Sequence, residues 1–222
     1  MIAAGKRRSP DSAEAMRWLC EQYWFPIYAY ARQRGKDPHE AQDLAQGFFA
    51  EMLTDNAIAA ADENQGSFRK FLVMRFSFFM GDVWKKDNCI KRGRGAKFFT
   101  LEEAEERFLT QLIDPRSAEH AYDRAWILAV IERVMLVLQV ECDADGKTGR
   151  FKVLKKFLEV ERNDATYAEV AAKIRITVPA LRMITYRLRQ RFREMITQEV
   201  RQIVLTENEV RPELSHLLKA LE

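Results

Sequence analysis

Disulfide and metal chemistry have little to work with in this chain. Its 222 residues include three cysteines, Cys20, Cys89 and Cys142. They lie far apart, form no C-x-x-C pair and fit a reducing compartment. The three histidines, His39, His120 and His216, are isolated and lack metal-ligand spacing. No metal and no cofactor is expected. Long apolar runs are also missing. The longest, around 125–140, is broken by Glu132 and Arg133, so no membrane span is expected. The start, MIAAGKRR, lacks the apolar stretch of a secretory signal. A cytoplasmic location is the expectation. Glycine and proline are scarce, nine and six, and strict polar–apolar alternation never persists, which argues against a sheet. A net charge of +3 says little about partners; the distribution of charge says more.

What is present is helical periodicity almost throughout, and the chain reads as all-α. Residues 37–53, DPHEAQDLAQGFFAEML, carry the clearest signal. Asp37 and Glu40 form a D-x-x-E capping box, with Pro38 at the first helical position. Ala41, Leu44, Ala45, Phe48, Phe49, Met52 and Leu53 make one apolar stripe. Asp43, Gln46, Gly47 and Glu51 occupy the other face. A mid-helix glycine costs about 1 kcal/mol relative to alanine, so something should approach closely there. Before this helix, 10–34 reads as another, with Pro26 expected to kink or split it and Gly35 to end it. The two should form an antiparallel hairpin. After a polar connection at 54–66, Ser67 can cap a helix over 68–86. Phe68, Phe71, Leu72, Phe78 and Phe79 form one stripe of it, and Val73, Phe76, Met80 and Trp84 a second. Such a helix is either central to a bundle or shows aromatics to a partner.

Charge then changes sign along the chain. Residues 85–97 hold six basic side chains and one acid. Residues 101–123 are rich in Asp and Glu, and read as an acidic linker with a short helix at 101–112. Trp126, Ile127, Val130, Ile131, Val134, Val137 and Leu138 stripe the next helix, and Phe151, Leu154, Phe157 and Leu158 another. Thr166 and Glu169 are read as a second capping box. Arg175, Ile176 and Thr177 separate that helix from one capped by Thr177, the pattern of a helix-turn-helix. No acid occurs from Val170 to Arg193, while Arg182, Arg187, Arg189, Arg191 and Arg193 project from the second helix. Such a run reads as phosphate-binding. Over 194–222 the pattern stays helical. Pro212 is expected to start a last helix bearing Leu214, Leu217, Leu218 and Leu221.

These residues resemble bacterial sigma factors of the extracytoplasmic-function group. Asp43-Leu44-x-Gln46-x-Phe48 is similar to the family's D-L-x-Q-E-x-F of region two. YWFPIYAYARQRG, which precedes it, is similar to the family's first helix, and SFRKFL to the start of its DNA-melting helix. The helix-turn-helix is similar to region four. The resemblance covers about 18–196. It implies two helical domains, region two over 1–97 and region four over 122–196, joined by an acidic linker over 98–121 and followed by a tail over 197–222.

It also implies roles. Asp43, Gln46, Gly47 and Glu51 would dock on the β′ clamp helices of core RNA polymerase, with the β flap as a further polymerase contact. Asn64, Gln65 and Gly66 would hold a flipped-out base of the minus-ten element. Lys70, Arg75, Lys85, Lys86, Lys91, Arg92 and Arg94 would line a basic groove beside it. Arg175, Thr177, Arg182, Met183, Tyr186, Arg187 and Arg189 would lie at the minus-thirty-five element. The partners implied are core polymerase and promoter DNA, with an anti-sigma factor or other regulator admitted. Three residues depart from the family pattern: Gly47 stands at a glutamate, Phe78 at an asparagine, and Arg175 at the glycine of the turn.

The expected function is promoter recognition and opening, without an active site of the chain's own. A stand-alone helix-turn-helix regulator is the alternative; it uses 166–193 and leaves the two preceding helices as plain core. A helical enzyme with paired carboxylates is the weakest reading, because neither a metal pattern nor a nucleophile–base pair occurs.

Overall fold

The structure, a computed structural model, describes residues 10–54, 67–86, 100–112, 116–144, 150–159 and 164–222. Every regular element among them is a helix: α1 (Pro10–Gln33), α2 (Pro38–Thr54), α3 (Phe68–Lys86), α4 (Leu101–Gln111), α5 (Ala118–Ala144), α6 (Arg150–Leu154), α7 (Lys156–Glu159), α8 (Asp164–Lys173), α9 (Val178–Arg201) and α10 (Glu207–Lys219). The fold is all-α, as the periodicity predicts. No helix among the described residues is long and apolar enough to cross a membrane. The chain divides into two compact units, Met1–Ala129 with Val200–Glu222, and Val130–Glu199.

Local chemistry sets the helix ends of the first unit. The Asp37 carboxylate accepts from the Glu40 N–H at 2.9 Å, and Glu40 accepts from the Asp37 N–H at 3.4 Å, the predicted capping box of α2. A second box, not predicted, starts α4: Thr100 Oγ1 accepts from the Glu103 N–H at 3.2 Å and Glu103 accepts from the Thr100 N–H at 3.0 Å. At the end of α1, Gly35 has φ +83°. Its N–H bonds Arg32 O at 3.0 Å, and the Lys36 N–H bonds Ala31 O at 3.2 Å, a Schellman close. Helix α1 runs on through Pro26 without splitting. Its neighbours Trp24, Phe25 and Ile27 are fully packed, and that burial outweighs one missing backbone hydrogen bond.

The core of this unit is aromatic. Tyr23, Trp24 and Tyr28 of α1, Phe48 and Phe49 of α2, Phe68, Phe71 and Phe76 of α3, and Tyr122 and Trp126 of α5 are all buried. Tyr23 meets Phe68 edge-on and stacks on Trp126, and Phe48 meets Phe76 edge-on at 5.2 Å. Phe78 is not part of this core, contrary to the predicted stripe; it is 64% exposed.

Two segments expected to lie outside a first domain belong to this same unit. Helix α4, within the predicted linker, buries Ala104. Its Glu105 accepts from Arg32 Nε at 2.6 Å and Nη2 at 3.0 Å, and from the Tyr28 hydroxyl. Arg32 lies over the Phe108 ring and Arg107 over Phe25. Glu102, Glu103 and Glu106 stay exposed, so the acidity is that of a solvated helix face. Helix α10, in the predicted tail, starts at Glu207, and Pro212 lies inside it rather than at its start.

Burial in α10 falls on Val210, Glu213 and Leu217. Glu213 accepts from Arg69 Nε at 3.1 Å and Nη2 at 2.9 Å, and from Ser67 Oγ at 3.0 Å. Arg69, only 2% exposed, also pairs with Asp123 of α5. Asp123 bonds His216 Nε2 at 2.7 Å, the Tyr122 hydroxyl donates to Arg69 O at 3.2 Å, and the Phe68 N–H donates to Ile203 O at 2.9 Å. One guanidinium thus ties together α3, α5 and α10. Two buried carboxylates surround it, which is the arrangement that makes a buried charge tolerable.

The second unit packs Val130, Val134 and Leu138 of α5, Phe151, Leu154 and Phe157 of α6 and α7, Tyr167 and Ala171 of α8, and Leu181, Leu188 and Ile196 of α9. Phe157 and Tyr167 sit 4.7 Å apart, centroid to centroid. Helix α8 begins at Asp164, so Thr166 lies inside it and does not cap it.

Candidate functional site

Three surfaces carry the residues singled out in the sequence. The first is the polar face of α2. Asp43 is exposed, and Gln46, Gly47 and Glu51 are half-buried. The glycine has an internal explanation. A Cβ at Gly47 would stand 3.2 Å from Cζ of Phe79, so α3 makes the close approach that the mid-helix glycine predicted. No partner is needed to account for it. Phe79 is in turn braced by Phe48 at 5.7 Å and Phe76 at 6.3 Å.

The second surface is the outer face of α3. Lys70, Met74, Ser77, Phe78 and Asp82 are exposed, and Arg75 is half-buried. Their spacing places Lys70, Met74 and Phe78 along one line four residues apart. Lys70 Nζ lies 3.9 Å from Glu213, and its side chain keeps 57% of its exposure. A flexible cation, a thioether and a bare phenyl ring along a solvent-facing line offer charge and a stacking surface together. Lys85 and Lys86 fall in the last turn of α3, with side chains outside the described residues. Asn64, Gln65, Gly66, Lys91, Arg92 and Arg94 lie outside the described residues altogether.

The third surface belongs to the second unit. The turn between α8 and α9 closes by the same motif as α1: the Arg175 N–H bonds Ala172 O at 3.2 Å and the Ile176 N–H bonds Ala171 O at 3.0 Å. Arg175 takes φ 56°, the one non-glycine with positive φ among the described residues. Thr177 then caps α9, accepting from the Ala180 N–H at 3.3 Å, as its position predicts. Along α9, Leu181, Thr185, Leu188 and Ile196 are buried. Arg182, Met183, Tyr186, Arg187 and Arg193 are exposed, and Met183 and Tyr186 are more than half exposed. The arginines therefore share one outer face with an aromatic and a thioether. Two predicted members are already engaged. Arg189 is half-buried and donates through Nε to Phe157 O at 2.9 Å. Arg182 lies over the Tyr167 ring, 5.2 Å from its centroid, which orients its guanidinium. Arg191 pairs with Glu141 at 2.6 Å.

No group of His, Cys, Asp and Glu that could hold a metal ion occurs among the described residues. The sequence reading missed Arg69, Asp123, Glu213 and His216, which the fold brings together, and it missed the outward aim of Phe78. No family model, curated protein or solved structure matches the chain.

Proposed function

We propose that the chain is a promoter-recognition subunit of bacterial RNA polymerase of the sigma type, and that it has no active site of its own. The observation that carries the reading is the outer face of α3, where Lys70, Met74 and Phe78 stand exposed beside an otherwise aromatic core. A ring exposed in line with a cation and a thioether offers a stacking surface beside a positive charge, and unpaired bases are a partner that suits it. The exposed arginines of α9, following a four-residue turn, suit a duplex groove and its phosphates. One chain would then hold one face for opened strands and one for duplex, the pair of tasks that promoter opening sets. Asp43 and Gln46 on α2 supply a polar face for docking on the β′ clamp helices.

A stand-alone helix-turn-helix regulator uses the α9 face alone and has no task for α3. Co-purification with core polymerase separates the two. The sigma reading expects a stoichiometric complex that supports transcript initiation on a genomic promoter library. It also expects Asp43→Arg to weaken that complex while the chain stays folded. A chain that binds duplex DNA but never core polymerase would leave the regulator reading in place.

A further inference from the structure

We infer that Arg175, which takes a left-handed backbone conformation in the turn before α9, places its guanidinium to grip a DNA phosphate beside the duplex segment read by that helix. The inference rests on the duplex-binding reading of that helix.

Helices α1 and α8 end in the same hydrogen-bond pattern, with the left-handed residue at Gly35 in one and Arg175 in the other. Glycine adopts that conformation without a steric penalty, whereas any Cβ meets the adjacent carbonyl. An arginine there is strained, and strain of this kind persists where the side chain does something that the easy residue cannot.

Among the described residues, nothing in the fold rewards this side chain. It is exposed, so packing does not require it. The turn closes through backbone groups alone. Among the described residues, Arg175 makes neither an ion pair nor a side-chain hydrogen bond, unlike Arg189 and Arg191 of the following helix. What arginine adds over glycine is a permanent charge and a planar fork of donors, the group that matches a phosphate. Its place suits that task. Thr177, two residues on, spends its hydroxyl on capping α9, and the exposed Arg182 and Arg187 continue the positive surface along the helix. A contact to phosphate from the turn would fix the register of α9 without reading a base.

The test uses the full chain, a duplex of random sequence, and binding measured over a salt series. Three variants separate charge from strain. Arg175→Gly removes both, Arg175→Gln removes the charge alone, and Arg175→Lys keeps both. The inference expects Arg175→Gly to raise the thermal midpoint by about 2–4 °C and yet to weaken binding roughly five- to tenfold at 0.1 M salt. The slope of log affinity against log salt should become shallower by about 0.9. Arg175→Gln should show the same loss of slope with no gain in midpoint, and Arg175→Lys should keep the slope. Wild-type affinity and slope in both Arg175→Gly and Arg175→Gln would overturn the inference and leave the reading of α9 intact. If the wild-type chain shows no salt-dependent binding to duplex DNA, that reading falls and the inference with it.

Discussion

Replacing Arg69 tests whether α10 is part of the first unit or merely lies against it. Arg69→Met keeps most of the aliphatic volume and removes the guanidinium. Asp123 and Glu213, with side chains 10% and 6% exposed, then lose their buried cation and keep only His216 on the one and Ser67 with Lys70 on the other. Breaking a buried ion pair on one side costs about 3–5 kcal/mol, and here two carboxylates lose one partner. The expected loss is therefore at the upper end, a third or more of a typical total stability of about 5–15 kcal/mol. The assay is urea unfolding followed by tryptophan fluorescence. All four tryptophans, Trp18, Trp24, Trp84 and Trp126, lie in the first unit, so the signal reports that unit. Replacing the set together, as Arg69→Met with Asp123→Leu and Glu213→Leu, should regain much of the loss, because no charge is left unpaired. A single Arg69→Met that costs less than about 1 kcal/mol would refute the account, since exposed pairs cost no more than that.

Acidification should act on the same network. Burial pushes the Glu213 carboxyl up, but the Arg69 guanidinium, the Ser67 hydroxyl and Lys70 outweigh it and hold it below the usual range. Burial, then the Arg69 charge, hold the His216 imidazole below its ordinary value, against an opposing pull from Glu213. Both groups contribute stability that is complete above their unfolded values and lost as pH falls through the folded ones, so thermal midpoints should drop from about pH 6.5 downward. In His216→Gln the first part of that drop should vanish; an unchanged profile would remove His216 from the account. Gly47→Ala should gain little in the wild-type chain, because its Cβ would meet Phe79 at 3.2 Å, but should gain about 1 kcal/mol in a Phe79→Leu background; equal effects in both would show that Phe79 is not the obstacle. Gly35→Ala, at φ +83°, should cost about 1–2 kcal/mol by urea unfolding, and a neutral result would mean that the turn relaxes. The buried Cys20 thiol is pushed up to about 12 by burial and by Glu21, so it should resist alkylation near neutral pH until the chain unfolds.

Much of this architecture was legible because it is written locally. The capping box at Asp37 and Glu40, the end of α1 at Gly35 and the Thr177 cap each involve residues no more than a few positions apart. A short window of sequence therefore contains both partners. The bounds of α3, 68–86, follow from local pattern in the same way. Where reading failed, a local signal had two meanings. Pro212 fits the first turn of a helix, where its missing N–H costs nothing, yet α10 begins at Glu207 and carries the proline inside. Thr166 and Glu169 have the spacing of a capping box, but α8 has already started at Asp164.

The candidate site divides along the same line. Periodicity placed Leu181 and Leu188 inside and Arg182, Met183, Tyr186 and Arg187 outside, because on an amphipathic helix the buried face determines the exposed one. Helix α3 offers no such contrast. It is apolar on several sides, so the sequence alone could not say that Phe76 is buried and Phe78 exposed. Arg69 shares that choice with the aromatic contacts of Phe68 and Phe76. Its partners lie 54 and 144 positions away, at Asp123 and Glu213, and they draw one side of α3 against α5 and α10. With Arg69 turned inward, Lys70, Met74 and Phe78 are left on the solvent side. The buried arginine thus helps to set the outward face of α3, and the residues that select the candidate strand-binding surface include two from the last hundred positions of the chain.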